Sequence, residues 1–388
     1  MSNATEIDVL IIGAGPAGLS TALHLVQADP SWAGRILLVD KAVHPREKLC
    51  GGGITRLGMP LLRGLGVSLK TPYVPVREVR MVYRHLVFAI RDEPVFWVVR
   101  RDEFDHHLAR TAARRGVPLQ EGQAVLDVRP AADGVEVATT AGEYRARVVV
   151  AADGSRSTVR QKLDWPGSVR MARLLEVLTP ESDHLPEFQQ GRAVFDFSPM
   201  ADGLQGYCWD FPSLVRGQAT MNRGVFDSRI RPERRRAGLK EILQERMAAR
   251  QRRLADYPLK GHPIHLFDPQ AVFARPRVLL AGDAAGTDPL LGEGISFALA
   301  YGQAAAAEIV HAFAQNDFSF TGYKARLLAH PVLSQLRVRA WLARMAYRFE
   351  SPGMIGMLWR LAPWMVAALA RYNPACVPVQ QPRLVRVG

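Results

Sequence analysis

The stretch from Asp8 to Gly18 reads DVLIIGAGPAG, and its pattern decides the fold. Val9 to Ile12 is an aliphatic run that fits a parallel strand buried on both faces, because such a strand does not alternate polar and apolar residues. Gly13, Gly15 and Gly18 follow with the spacing G-x-G-x-x-G. In this motif the first glycine permits a tight turn, the second lets backbone approach a diphosphate, and the third lets helix pack on strand. The stretch predicts a strand, a turn and a helix whose N-terminus faces a dinucleotide.

The residues after these glycines support the dinucleotide interpretation. A helix is predicted from Ala17 to about Gln27, and an aliphatic strand follows from Arg35 to Val39. Asp40 comes directly after that strand, where an acidic residue that binds the adenosine ribose belongs. An ordinary β-α-β unit without a ligand is the alternative.

Composition indicates a globular protein of a reducing compartment. The chain has 388 residues, 48% of them hydrophobic and 22% charged, which is enough for two or three packed lobes. Its cysteines, Cys50, Cys208 and Cys376, are too far apart in sequence for a disulfide framework or a zinc motif. The N-terminus, MSNATEID, is polar and does not resemble a signal peptide. We therefore predict a cytoplasmic protein without a metal site.

The positive charge is concentrated in one segment. The formal net charge is +13, and residues 229–253 read RIRPERRRAGLKEILQERMAARQRR. This segment has no interleaved aromatic residues and matches no nucleic-acid-binding module, so we predict no nucleic-acid partner. It is interpreted either as the solvated face of a basic helix or as a surface attracted to anionic lipid headgroups.

An unusual loop lies between Pro45 and Gly53, with the sequence PREKLCGGG. Three successive glycines leave room for a flat ring to approach the backbone, and they permit positive φ values. Cys50 would then lie at the edge of that ring. The alternative is a flexible linker with a buried, inert thiol.

Later segments add candidate nucleotide contacts. An aliphatic run at Val148 to Val150 precedes Asp153-Gly154, and a second aliphatic strand ends at Gly282-Asp283. Gly292 and Gly294 precede a helix of small residues, whose N-terminus could also point at a ligand. Each turn is common in α/β proteins, but together with the first glycine motif they indicate a nucleotide site.

Arg101 stands at the start of a helical stretch, in the sequence R-x-x-F-D. From that position a basic side chain could reach a diphosphate. An ordinary surface charge is the alternative.

The second half of the chain contains a candidate substrate lobe and a helical tail. From about Pro166 to His265, β-like alternation carries aromatic residues that could wall an apolar pocket, although core packing explains them equally well. Residues 354–369 are mostly apolar but are interrupted by Arg360 and Pro363, so they do not predict a membrane span. Trp359 and Trp364 would suit an interfacial helix, and packing against the substrate lobe is the alternative.

These motifs resemble those of a known group. GAGPAG at residues 13–18, DG at 153–154 and GDAAG at 282–286 are similar to the FAD-contacting signatures of flavoproteins with the p-hydroxybenzoate hydroxylase fold. P-x-x-K-x-C-G-G-G and Y-x-W-x-F-P look like motifs of the geranylgeranyl reductase family within that fold. The resemblance implies an α/β architecture with a Rossmann-like FAD-binding domain (1–75, 100–165 and 266–315), an antiparallel-sheet substrate domain (76–99 and 166–265) and a helical C-terminal region (316–388).

The resemblance also implies roles for individual residues. The FAD-binding residues would be Gly13, Gly15, Pro16, Ala17, Gly18, Asp40, Lys41, Lys48, Cys50, Gly51, Gly52, Arg101, Val125, Gly282, Asp283, Gly292, Gly294 and Ile295. The walls of a tunnel for an isoprenoid chain would be Tyr207, Trp209, Phe211 and Pro212. Asp40 departs from the glutamate more usual in the class, which shortens its reach by one methylene group.

The implied activity is saturation of carbon–carbon double bonds in a prenyl or polyprenyl chain. Reduced flavin would deliver hydride from N5, and an isolated alkene also needs a proton on its other carbon, for which Cys50 or a bound water is the candidate donor. NADPH or ferredoxin would supply electrons, and the substrate could be met at the inner face of the membrane. The rivals are a flavin monooxygenase or halogenase, because Y-x-W-x-F-P also resembles the halogenases' W-x-W-x-I-P, and a non-enzymatic FAD-bearing binding factor.

Overall fold

The computed structural model describes residues 4–167 and 169–361 and the backbone of residues 383–386. In these residues the chain forms two β-sheets with helices packed around them. The strands are β1 (Thr5–Ile12), β2 (Ile36–Asp40), β3 (Gly53–Thr55), β4 (Tyr73–Tyr83), β5 (Leu86–Val99), β6 (Leu119–Glu121), β7 (Val125–Pro130), β8 (Val135–Thr139), β9 (Gly142–Ala151), β10 (Met171–Pro180), β11 (Arg192–Asp196), β12 (Gly206–Val215), β13 (Gln218–Asp227), β14 (Lys260–His265), β15 (Ala274–Arg275), β16 (Val278–Leu280) and β17 (Arg383–Arg386). The α-helices are α1 (Pro16–Ala28), α2 (Gly58–Gly64), α3 (Arg101–Arg114), α4 (Thr158–Lys162), α5 (Pro186–Gln189), α6 (Leu239–Ala248), α7 (Ile295–Gln315), α8 (Tyr323–Ala329) and α9 (Gln335–Ala346), and residues 352–361 are also helical.

The first sheet has a parallel centre in the order β16-β9-β1-β2-β6. Leu10 of β1 lies opposite Leu37 of β2 on one side and Val149 of β9 on the other. Because parallel strands end at the same edge, the turns after β1, β9 and β16 meet there. These turns carry the three glycine-containing motifs found in the sequence.

Helices α1 and α7 cross closely on this sheet. Ser20 of α1 donates a hydrogen bond of 2.8 Å to the Leu299 carbonyl oxygen in α7. A Cβ on Gly302 would lie only 2.4 Å from the Ser20 Cβ, so a glycine is needed at the crossing. Both helices begin near the edge where the turns meet, and their N-termini therefore point into the same region.

The second sheet has the order β14-β10-β13-β12-β11-β4-β5-β17, with β3 also paired to β5. Its pairs are antiparallel apart from β11 with β4, which is parallel. Strand β3 directly follows the glycine loop and pairs through Gly53 with Val98. The pairing attaches the glycine loop to the second sheet.

The predicted fold class is confirmed: a Rossmann-like sheet is joined to a second, mainly antiparallel sheet and to C-terminal helices. Strand β17 was not anticipated in the region predicted to be helical, and it pairs with the edge strand β5. The domain boundaries drawn from the sequence stay a prediction.

The basic segment 229–253, interpreted from the sequence as the solvated face of a helix or as a lipid-binding surface, is helical in its central part alone. Only Leu239–Ala248 is helical there. Arg229 folds back and donates to the carbonyl oxygens of Pro232 and Arg234, at 2.6 and 3.0 Å. Further arginines of the segment form ion pairs with acidic residues elsewhere in the chain: Arg234 with Glu350, Arg246 with Asp196, Arg250 with Asp210 and Arg252 with Glu181.

The apolar tail packs on the second sheet as far as it is described. Trp359 lies with its ring centroid 4.9 Å from that of Phe197 and 5.6 Å from that of Phe88. Trp359 therefore packs against the second sheet, which was the alternative to a place in an interfacial helix. Trp364 and the rest of the stretch 362–369 lie outside the described residues. Among the helices that the structure does describe, none has the length and apolar character needed to span a membrane.

Candidate active site

The three glycines of the first motif have different surroundings, and a side chain would meet different atoms at each. Gly13 has φ of 104°, and a Cβ there would lie 2.3 Å from the Ala152 carbonyl oxygen. A Cβ on Gly18 would lie 2.0 Å from the Gly13 carbonyl oxygen. At Gly15 a Cβ would meet only Arg46 Nη2, at 3.6 Å. The space beside Gly15 is therefore free of close protein atoms, as a bound diphosphate requires.

Helix α1 begins beside that space without a side-chain cap. Gly15 is its N-cap residue and Pro16 its first residue, so backbone N–H groups of the first turn are free to bind an anion. Ala17 packs under the last of the three turns, because a Cβ on Gly282 would lie 2.7 Å from the Ala17 Cβ. The predicted strand, turn and helix start are thus present, and phosphate binding at them stays a prediction.

A cluster of cationic side chains lies beside the same N-terminus. Arg101, the first residue of α3, donates two hydrogen bonds of 2.8 Å to the fully buried Asp105. Arg46 Nη2 lies 3.2 Å from the same carboxylate. Lys48 interacts electrostatically with both arginines and with Asp283, and burial lowers the pKa of its ammonium group. The fixed positive charges suit a diphosphate, and Arg46 and Asp105 were missed by the sequence reasoning.

Asp40 lies at the end of β2 and is nearly buried. Its carboxylate accepts backbone hydrogen bonds from Ala14, at 2.7 Å, and Ala42, at 2.8 Å. A carboxylate has acceptor sites beyond these two, which leaves Asp40 able to accept a hydrogen bond from a ribose hydroxyl. That contact stays a prediction. Val125 begins β7 close by, whereas Lys41 is exposed.

The third turn supplies a carboxylate and a second helix N-terminus. Asp283 makes no hydrogen bond or ion pair through its side chain with the described residues, and it is partly exposed. The Cβ position of Gly294, the N-cap of α7, lies 3.8 Å from Asp283 Oδ1. Helix α7 starts at Ile295 without a side-chain cap. Gly292 has φ of 69° and faces the Phe226 ring.

The glycine loop is held tightly against its surroundings. Gly52 has φ of 81°, and a Cβ there would lie 2.1 Å from the Val99 carbonyl oxygen. The Val99 N–H in turn donates to the Gly52 carbonyl oxygen at 3.0 Å. A Cβ on Gly51 would lie 3.1 Å from the Phe211 ring. The flexible-linker alternative is therefore wrong, and Cys50, which is half-buried, directly precedes the glycine that lies against the Phe211 ring.

Tyr207, Trp209 and Phe211 form one aromatic wall on β12, because alternate residues of a strand share a face. They are 5, 5 and 6% exposed. The Phe195 ring centroid lies 4.9 Å from those of both Tyr207 and Phe211. Pro212 lies on the opposite face of the strand and does not join this wall.

The structure adds residues that no sequence motif indicated. Trp209 Nε1 donates to Asn222 Oδ1 at 2.8 Å, and Asn222 Nδ2 donates to the Cys50 carbonyl oxygen at 3.0 Å. Glu176 lies next to both Asn222 and the Cys50 backbone. These contacts depend on the register of β10, β12 and β13, which the sequence alone does not show.

Burial determines which groups near the loop can exchange protons. It raises the pKa of Tyr207, whose hydroxyl donates to the Leu291 carbonyl oxygen. Burial, with Lys48 second, lowers the pKa of His262 to about 4. Burial raises the pKa of Glu176 to about 7. Near neutral pH, Tyr207 is thus protonated and donates its hydrogen bond, His262 is neutral, and Glu176 can exchange a proton.

Comparison with known proteins identifies the family. Residues 6–306 match the family described as FAD binding domain, and the chain belongs to it. The prediction of an FAD-binding protein is thereby confirmed. The open space at Gly15, the Asp283 carboxylate, which makes no side-chain hydrogen bond with the described residues, and the uncapped N-termini of α1 and α7 all fit this cofactor.

Among its relatives are reductases of prenyl compounds. Digeranylgeranylglycerophospholipid reductase 3 of Methanosphaera stadtmanae is 26% identical over 333 residues, covering 82% of this chain and 80% of that protein. Menaquinone reductase of Mycolicibacterium smegmatis is 28% identical over 344 residues, covering 81% and 79%. A geranylgeranyl bacteriochlorophyll reductase-like protein from Thermoplasma acidophilum superposes with a TM-score of 0.76 at 22% identity, covering 96% and 98%. The predicted resemblance is confirmed.

Proposed function

We propose that this protein is a flavin-dependent reductase that saturates carbon–carbon double bonds of an isoprenoid chain. The observation that carries the proposal is the contact between the Cys50 loop and the aromatic wall of β12. The loop that carries the thiol thus contacts an apolar surface beside the predicted cofactor site, and saturation of an alkene needs both a proton donor and an apolar site. The names of the relatives point to the same class of substrate.

Bound FAD, once reduced, supplies the hydride for such a reaction. The protein residues supply the rest: Tyr207, Trp209 and Phe211 exclude water from the reacting carbons, and the Cys50 loop sets the position of the thiol. Cys50 gives a proton to the second alkene carbon and regains one from solvent. Lys48, Arg46 and Arg101 offset the negative charge of the diphosphate.

The direct test is anaerobic turnover. Dithionite-reduced protein is mixed with a geranylgeranyl lipid or with menaquinone, and the products are analysed by mass spectrometry. Gain of two hydrogens per reduced double bond supports the proposal, and the preferred substrate identifies its class. Mass spectrometry of lipids that copurify with the protein gives an independent indication of the natural substrate.

The electron donor is NADPH or ferredoxin in this proposal. Anaerobic bleaching of the flavin absorbance by NADPH alone supports the first donor. Bleaching that requires ferredoxin and its reductase supports the second.

A flavin monooxygenase or halogenase is the second candidate. The motif that contains Trp209 resembles a motif of the halogenases as well as one of the geranylgeranyl reductase family. Such an enzyme consumes oxygen during NADPH turnover in proportion to product, whereas the reductase works without oxygen. Protein that binds FAD but neither reduces a prenyl compound after dithionite treatment nor consumes oxygen with NADPH contradicts both activities and favours a binding role.

The tail carries a surface that suits a lipid bilayer. Three exposed side chains of α9, Val338, Trp341 and Met345, are spaced to share one helix face. The following helical segment exposes Met354, Met357 and Leu361 with the same spacing, and Arg337, Arg344, Arg348 and Arg360 are exposed between them. We propose that this tail surface binds the anionic inner face of the membrane.

Continuity with the substrate wall supports this placement. Trp359, next to the tail surface, contacts Phe197, and the Phe197 ring centroid lies 5.3 Å from that of Tyr207. A lipid leaving the bilayer would thus reach the aromatic wall along a short apolar path.

Replacement Trp341→Asp is expected to weaken binding to anionic vesicles roughly tenfold or more, because a side chain that is 60% exposed would no longer enter the interface. Leu126→Asp is the control, since Leu126 is 52% exposed on β7, outside the tail surface, and its loss should leave binding unchanged. Cosedimentation measures both variants. Wild-type binding that is indifferent to salt and to lipid charge would refute the electrostatic part, because exposed charges are screened beyond about 10 Å at 0.1 M salt.

A further inference from the structure

Glu176 is a buried carboxyl group beside the Cys50 loop that the proposed chemistry leaves unused. It lies in β10, and Leu174, two residues earlier on the same face, packs with the aromatic wall, whereas Val177 packs on the α6 side. Glu176 is 3% exposed, and its Oε2 has no hydrogen-bond partner among the described residues. A buried carboxyl group without full hydrogen bonding is costly to keep charged.

Sheet register connects this carboxyl group to Cys50. Glu176 lies opposite Gly224, which lies opposite Trp209. A Cβ on Gly224 would lie 2.3 Å from Trp209 Cζ2. The indole can therefore lie over the neighbouring strand β13 only because this residue is glycine. The Glu176 carboxyl group interacts with the Asn222 side chain and the Cys50 backbone, and Asn222 donates to the Cys50 carbonyl oxygen. The carbonyl side of the Cys50 peptide is therefore held by Asn222, and Glu176 lies beside the same backbone.

The charged groups around Glu176 do not neutralise it. Arg100, between β5 and α3, and Lys260, opposite it on β14, are the cations that face it. Lys260 is ion-paired with Glu47, and Arg100 lies 3.6 Å from Asp102. Burial outweighs both cations and raises the pKa of Glu176 to about 7.

We propose that Glu176 is a positioning residue that acts through Cys50: its carboxyl group fixes the loop, and its charge controls how readily the Cys50 thiol releases a proton. The second half rests on the proposed function, in which that thiol gives a proton to the alkene. An ionised Glu176 opposes formation of a neighbouring thiolate, because like charges repel strongly in a buried site. The proton balance is unchanged, since Cys50 regains its proton from solvent and Glu176 transfers none.

The experiment measures thiol reactivity without any prenyl substrate, so its outcome is independent of the proposed function. Cys376→Ser protein is the parent. Cys208 is buried, and burial raises the pKa of its thiol to about 12, so it reacts slowly. The rate of Cys50 alkylation by iodoacetamide is followed by intact mass between pH 5.5 and pH 9, in the parent and in Glu176→Gln.

We expect equal rates at the low end of this range, where Glu176 is neutral. Above pH 8 the Glu176→Gln variant should react roughly tenfold faster, because the amide is similar in shape but cannot ionise. Glu308→Gln is the control: Glu308 is buried and paired with Arg326 between α7 and α8, and its loss should change neither rate.

With the Glu176→Gln variant, two outcomes would overturn the proposal. Equal rates at every pH would mean that the charge of Glu176 does not reach the thiol. The same rate change at every pH would mean a structural effect alone. Glu176→Asp keeps the charge and should retain slow alkylation above pH 8, and fast alkylation in that variant contradicts the proposal even if Glu176→Gln does not fold.

Discussion

Replacement Gly15→Val is expected to give a folded protein that retains no FAD. The backbone at Gly15 has φ of −83°, which a valine adopts without strain, and the nearest atom to its Cβ would be Arg46 Nη2 at 3.6 Å. The new side chain would instead fill the space where the diphosphate approaches the start of α1. Heat release and chromatography of flavin measure retention, and circular dichroism measures folding.

Two other glycines provide matched controls for this prediction. Gly18→Ala should lower the thermal unfolding temperature, because its Cβ would lie 2.0 Å from the Gly13 carbonyl oxygen. Gly34→Ala should change neither folding nor flavin content, since its Cβ would meet nothing within 4 Å. A Gly15→Val protein that is yellow and contains stoichiometric FAD would show that the diphosphate does not lie at this turn. Release of FMN from the wild type would be equally damaging to the assignment.

Replacement Cys50→Ala is expected to leave FAD content and dithionite reduction intact and to slow alkene saturation by roughly 100-fold to 10,000-fold, the usual cost of losing a general acid. The loop itself should survive the change. It is held by Gly52, through the Val99 backbone, and by the hydrogen bond from Asn222 to the Cys50 carbonyl oxygen, neither of which involves the thiol. The change removes the 3.3 Å hydrogen bond that the Gly52 N–H donates to the Cys50 sulfur. The measurement is anaerobic single-turnover reoxidation of the reduced flavin by a prenyl substrate.

Cys50→Ser separates two roles of the thiol. If the thiol donates the proton, the weaker-acid hydroxyl should restore little activity. If Cys50 only shapes the site, the near-isosteric serine should restore most of it. Wild-type rates in both variants would remove Cys50 from the mechanism, and a bound water would then be the candidate donor.

The sequence determined the fold and the cofactor because the contacts that specify them are short in sequence or repeat with a fixed period. Gly13, Gly15 and Gly18 lie close together in sequence, and their spacing is a local pattern that encodes a strand, a turn and the start of a helix. Alternation on β12 likewise placed Tyr207, Trp209 and Phe211 on one face. The same alternation places Pro212 on the opposite face of the strand, although the family motif Y-x-W-x-F-P had grouped it with the three aromatic residues.

Only the tertiary structure decided which side chains surround Cys50 and where the basic segment faces. Asn222 and Glu176 reach the loop through the register of three strands, and register is set by pairing between distant segments. From the sequence, the arginines of residues 229–253 indicate a basic surface, because their ion-pair partners, such as Asp196 and Asp210, lie in strands outside the segment. A linear pattern records the charge of a residue, but its burial and its counter-ion depend on elements brought together by folding.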